Sequence, residues 1–237
     1  MTEAPAPQTG DRAYLAFIAA ALTIAILGAF PLGVIVTHAG LELFWTERFP
    51  WLVEAHGWAQ LEGWAGLFVA GMAFRLFPRF AGVRPLPRAV PYASFVFLTG
   101  GIVLRTAGQL AAGRSGSVAA FTAGQVLWAT GAGVFAVATI VVALRRRRRV
   151  APWQPFLLAG AASWGGWAVA SVFAAVQAAG ENGYVPRSLD EPLTWFVMLG
   201  AIGNFIWAVQ SRTVPIFFGR RAPTLMRAGG PALRQSC

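Results

Sequence analysis

Lysine is absent from this 237-residue chain, and cysteine nearly so, its one copy, Cys237, being the last residue. No intramolecular disulfide can form, and a terminal cysteine does not make a C-a-a-X prenylation signal, which needs three residues after it. Charge is scarce too, at 12% of residues, against about 25% in an ordinary soluble domain. With 57% of residues hydrophobic, a soluble globular domain is excluded and a bilayer protein is expected. Acidic residues are outnumbered nine to nineteen, which leaves a net charge of +10 carried by arginine. In a soluble chain that imbalance would point to nucleic acid. Here the arginines punctuate apolar runs longer than a core helix needs, so nucleic acid is excluded as a partner.

Histidine is limited to His38 and His56. Two imidazoles can clamp one haem iron, but a three-histidine copper or zinc site would need a second chain. The sequence also lacks a phosphate loop, a nucleophile elbow, a His-Glu-x-x-His and a Cys-x-x-Cys, so no motif names a reaction.

What is present is a series of apolar runs over 14–37, 52–77, 90–112, 118–144, 153–179 and 193–218. Each matches the roughly 20 residues a spanning helix requires, and none shows the two-residue alternation of barrel strands. The expected fold is all-α: a polytopic bundle of six transmembrane helices over 14–218, with tails at 1–13 and 219–237. The segment before the first run carries Glu3, Asp11 and Arg12 and is read as a retained tail, not a signal peptide.

The arginines set the orientation. Arg12, the cluster Arg75, Arg79, Arg84 and Arg88, the run Arg145 to Arg149, and Arg212, Arg220, Arg221, Arg227 and Arg234 fall on one side. Arg48, Arg114 and Arg187 share the other with Glu42, Glu47, Glu54, Glu181, Asp190 and Glu191. The positive-inside rule places both termini in the cytoplasm and the arginine rim against anionic lipid headgroups. A homo-oligomer is compatible with such a bundle.

A shift of 137 residues superposes Glu54 on Glu191, Trp58 on Trp195, Gly63 on Gly200 and Gly66 on Gly203. The match continues through Arg75 and Arg212, Pro78 and Pro215, Phe80 and Phe217, Gly82 and Gly219, and Arg84 and Arg221. The second and sixth helices are therefore expected to be a parallel internal repeat. Their shared ending reads as a snorkelling arginine, a proline stop and a glycine turn.

Polar groups inside the runs are few, and each is a functional hypothesis. His56, Gln60, Gly63, Leu67 and Gly71 follow helical spacing, which predicts one face open either to a flat ligand such as haem or to a close neighbouring helix. Glu62 lies roughly 12 Å below its helix end and Arg105 roughly 10 Å below the end of the next helix. Similar depth on antiparallel neighbours predicts an intramembrane Glu62–Arg105 pair. That pair reads either as a lock on the bundle or as part of a proton or anion path with Thr106 and Gln109. Gln125, Gln177 and Asn204 are expected to hydrogen-bond between helices.

The segment His56-Gly57-Trp58-Ala59-Gln60-Leu61-Glu62-Gly63-Trp64, continuing to Phe74-Arg75-Leu76-Phe77-Pro78-Arg79-Phe80, resembles the NnrS family. Ser211-Arg212-Thr213-Val214-Pro215-Ile216-Phe217-Phe218-Gly219-Arg220-Arg221 is similar to that family's second signature. The resemblance implies a multi-pass bacterial inner-membrane protein linked to the nitric oxide response, with distant similarity to subunit I of haem-copper oxidases. It implies b-type haem at His56, with Gln60 the other residue carried over from the family's ligand cluster, and His38, the second histidine, is a further candidate outside that pattern. Two histidines of the family pattern are replaced by Trp58 and Arg75, so copper is not expected. The rival reading is a haem-free scaffold or permeation bundle stabilised by Glu62 and Arg105.

Overall fold

The computed structural model describes residues 12–41, 49–145, 150–181 and 183–219. Residues 1–11 of the N-terminal tail, Glu42, Glu47, Arg48, four arginines of the basic run (146–149), Arg220, Arg221, Arg227, Arg234 and Cys237 lie outside the described residues. Among those described there is no strand, and the chain forms six helical stretches. Helix α1 covers 13–41 as Ala13–Ile24, Ala25–Ala29 and Phe30–Leu41, and α2 covers 49–81 as Phe49–Trp58, Ala59–Gly66 and Leu67–Ala81. They are followed by α3 (Ala89–Leu110), α4 (Ser117–Leu144) and α5 (Trp153–Ala179). Helix α6 covers 187–217 as Arg187–Trp195, Phe196–Gly203 and Asn204–Phe217.

Among the described residues, five stretches are long and apolar enough to cross a membrane: Ala13–Gly40, Ala89–Leu110, Ser117–Leu144, Trp153–Ala179 and Arg187–Phe217. Helix α2 falls short on composition, because Glu54, His56, Gln60 and Glu62 occupy one half and Arg75 and Arg79 the other. Leu27, Val169 and Leu199 are among the large apolar side chains turned outward, as in a helical protein surrounded by lipid. The described residues are thus all-helical, with the helix length and composition of a membrane protein.

The middle segments of α1, α2 and α6 are π-helical: Ala25–Ala29, Ala59–Gly66 and Phe196–Gly203. The wider i→i+5 turn appears in the bonds from Phe30 N–H to Ala25 O and from Leu67 N–H to Glu62 O. Such segments re-aim side chains and occur often at functional positions. Asn204 serves one of them. Its Nδ2 donates to Gly200 O (2.8 Å) and Leu199 O (3.2 Å), inside α6 and not to another helix as expected. The π geometry supplies these acceptors locally.

Helices α3 and α4 form the tightest antiparallel pair. A Cβ on Gly101 would strike the backbone of Trp128, one on Gly108 that of Phe121, one on Gly124 that of Arg105 and one on Gly131 that of Leu98. Four glycines thus remove the side-chain layer between the two backbones. Ser94 Oγ bonds across the same seam to Gly131 O (3.0 Å). Helix α4 packs on α5 and α5 on α6, while α2 touches α1, α3 and α4. Gln125 Nε2 donates to Ser171 Oγ (2.8 Å) between α4 and α5, whereas Gln177 is exposed. Helix α2 ends at Gly82, whose φ of 68° is left-handed, with Val83 N–H donating to Pro78 O (3.0 Å); glycine suits that cap because it has no Cβ.

Candidate functional site

The site is built around Arg105 on α3. Gly124 lets α4 approach the Arg105 backbone directly, and Gly101 and Gly108 flank it at one turn on either side. Its guanidinium then points to α2, where Nη1 donates to Glu62 Oε1 (3.1 Å) and Nη2 to Glu54 Oε1 (3.3 Å). The Trp58 ring lies under the guanidinium carbon at 4.1 Å and Phe121 at 5.3 Å. Trp58 is itself backed by Trp167, stacked at 5.8 Å and 11°. Arg105, Glu54 and Glu62 are all buried, at 2%, 6% and 2% exposure. A charge so far from water needs partners, and two carboxylates with two aromatic rings supply them.

Glu54 does more than face Arg105. Its Oε2 accepts the N–H of Val185 at 3.0 Å, tying the α5–α6 connector to α2. Trp51 meets Tyr184 edge-on at 5.9 Å on the same connector. Glu54 also lines a cleft of about 860 Å³ between the arginine-poor halves of α2 and α6. Its walls include Trp58, Gln60 and Trp64 from α2, Tyr184 from the connector, and Asp190, Thr194 and Trp195 from α6. Gln60 Oε1 is buried with no hydrogen-bond partner among the described residues, while Trp58 Nε1 and Asp190 Oδ1 are also out of water, the indole N–H lying beside the Asp190 carboxylate short of a well-formed hydrogen bond. At the mouth, the exposed Arg187 and Glu191 pair at 3.4 Å.

The expected single face of α2 is split. The π segment starts at Ala59, between His56 and Gln60, and its wider turn rotates everything that follows. Gln60 lines the cleft. His56 instead lies against α1, where its Nδ1 bonds Ala29 O at 2.8 Å and its ring occupies the space a Cβ on Gly33 would fill. Gly63 and Gly71 face Ile24 and Phe17 of α1. The neighbour on that glycine face is a helix. His38 stands five residues beyond Gly33, roughly 7 Å further along α1. Thr106 is turned about 100° around α3 from Arg105, and Gln109, one turn from Arg105, is buried with neither amide atom bonded among the described residues.

A carbonyl can only accept, so the Ala29 bond places the proton of neutral His56 on Nδ1 and leaves Nε2 as its free lone pair. That is the tautomer a metal-ligating histidine adopts when a backbone carbonyl orients it. The surroundings do not match. His56 is not among the residues lining the cleft, and α1 covers its ring. As placed, these residues do not enclose a haem.

Sequence reasoning reaches Glu62 and Arg105 through depth. It misses Glu54 and Asp190, which it leaves on the arginine-poor side of the membrane because they sit near helix ends. Trp58 is a missed signal as well: an indole one turn before Glu62 is a natural cover for the guanidinium that Glu62 binds. The chain matches no protein-family model, no curated protein and no solved structure.

Proposed function

We propose that this chain is a six-span bacterial inner-membrane protein of the permeation or solute-binding class, with both termini in the cytoplasm. In this reading α2 is the sixth span, its charges neutralised inside the bundle. The cleft between α2 and α6 admits a solute from the side opposite the arginine rim, and the Glu54–Arg105–Glu62 triad closes its floor. The observation that carries the reading is that Glu54 belongs to both, clamping Arg105 with one oxygen while lining the cleft.

The parallel repeat of α2 and α6 is part of the proposal. Support comes from the π segments Ala59–Gly66 and Phe196–Gly203, whose two ends are both 137 residues apart. The left-handed Gly82 and Gly219, at φ 68° and 66°, keep the same separation. The rim is read as a lipid-headgroup girdle. Some of it also serves packing, since Arg75 lies over the Tyr14 ring at 4.1 Å and Arg212 over Phe80 at 4.8 Å.

The test places a cysteine at Thr194, which lines the cleft, in a chain whose Cys237 is changed to Ser. A hydrophilic methanethiosulfonate is expected to modify it in reconstituted protein within seconds to minutes. No modification there, with normal modification of a cysteine at the exposed Gln177, would sink the reading.

A second reading, haem b in the nitric oxide response, follows the NnrS resemblance and is favoured by one observation, the bond from His56 Nδ1 to Ala29 O. It calls for α1 to move off the ring. A Soret band in protein purified from haem-replete cells, lost in His56→Ala, would establish it; a colourless preparation would remove it.

A further inference from the structure

The cleft's chemistry indicates what it takes, provided it is the solute site proposed above. An anion would need the guanidinium. Arg105 is not among the lining residues, both its Nη atoms are committed to carboxylates, and its carbon lies over Trp58 and near Phe121. The other cation of the cleft, Arg187, is already paired with Glu191. A solute entering between α2 and α6 therefore meets acceptors: Glu54, the Oδ1 of Asp190 and the Oε1 of Gln60.

Charge counting agrees. Glu54, Glu62, Asp190 and Glu191 set four carboxylates against two guanidiniums, Arg105 and Arg187. Asp190 takes part in no ion pair among the described residues, and its Oδ1 is out of water. A carboxylate in that position calls for a cation or a proton. The cleft's carboxylates form no group that could hold a metal ion among the described residues. The walls are mainly apolar and aromatic, with Trp64, Trp195 and Tyr184 open to an organic body. Trp58, 4% exposed, also lines the cleft, and its indole N–H lies beside the Asp190 carboxylate, a polar contact that supplies no counter-charge.

We infer that the α2–α6 cleft binds a small organic cation, a protonated amine on an aromatic or alkyl body, through Asp190 and Glu54 between the indoles of Trp64 and Trp195. The ammonium replaces the missing counter-charge of Asp190, and the body lies against the rings by hydrophobic and cation–π contact.

The test titrates the full chain in nanodiscs with 2-phenylethylammonium, uncharged 2-phenylethanol and anionic 3-phenylpropionate, reading tryptophan fluorescence. Saturable binding of the ammonium is expected, about tenfold tighter than the alcohol, with no binding of the carboxylate. Asp190→Asn is expected to weaken the ammonium about tenfold and leave the alcohol unchanged, while Asp190→Glu retains the preference. Should the Asn variant not fold, protection of Thr194→Cys from the thiol reagent by the ammonium, and not by the alcohol, carries the same test. Alcohol or carboxylate binding as tightly as the ammonium would overturn the cationic class and leave the solute cleft standing. Unprotected modification of Thr194→Cys with no probe bound would overturn the cationic site alone, whereas an unreactive Thr194→Cys would remove both.

Discussion

At the scale of the residue, Arg105 decides how the buried charges behave. Its two bonds go to different carboxylates, Glu62 at 3.1 Å and Glu54 at 3.3 Å, on the same helix. Removing the arginine alone leaves both acids without a cation in the interior. Arg105→Leu is expected to cost about 3–5 kcal/mol, measured by unfolding in detergent. Adding Glu62→Leu alone should recover only part of this, because Glu54 still lacks its partner. Adding Glu54→Gln as well should recover most of it. A triple variant no more stable than Arg105→Leu would show that the three side chains are not electrostatically coupled. Depth along sequential helices made Glu62 and Arg105 legible as a pair. Glu54 was not, because a glutamate one turn into a helix looks like an interfacial acid until the connector carrying Val185 folds over it.

At the scale of the element, the apolar runs announced α1, α3, α4, α5 and α6, since a bilayer demands about 20 such residues in a row. The π segments were hidden. Whether an N–H bonds four or five residues back is set by the neighbours that accommodate the extra residue, not by composition. The consequence is visible at His56 and Gln60, which share a face on an ideal helix and part company here. The glycine seam is the other element-scale feature, and each of its glycines faces backbone where nothing flexible can yield. Gly124→Ala is expected to destabilise the protein by about 1–3 kcal/mol. Because Gly124 abuts Arg105 itself, the substitution should also weaken the triad. Gly133→Ala, where a Cβ meets nothing within 4 Å, is the matched control and should change stability little. Equal melting of the two variants would show that the close approach of α3 and α4 is unimportant.

At the scale of the whole molecule, the count of crossings fixes where the termini lie. Six crossings return the C-terminus to the side of the N-terminus, and five do not. With the proposed topology, a membrane-impermeant maleimide should label Cys237 only after permeabilisation. It should label a cysteine at Ser115, in the α3–α4 turn, in intact spheroplasts whose Cys237 is changed to Ser. Labelling of Cys237 from outside would show that α2 does not cross.

In the proposed repeat, the two copies have separate fates: Trp58 is 4% exposed, while Trp195, its counterpart, is 57% exposed. One copy is enclosed by α1, α3 and α4, and the other packs chiefly on α5, with Phe205 also reaching Phe77 of α2 and Phe135 of α4. No sequence comparison of the copies could assign those environments, because burial is a property of the neighbours. The α3–α4 seam is different, because its requirement is written into the glycines themselves. Two glycines seven apart in one span, answered by two seven apart in the next, form a signature that owes nothing to the ligand. Related chains should keep Gly101, Gly108, Gly124 and Gly131 even where His56 or Asp190 has been exchanged, so ancestry in this fold is better traced through residues without side chains than through those that carry charge.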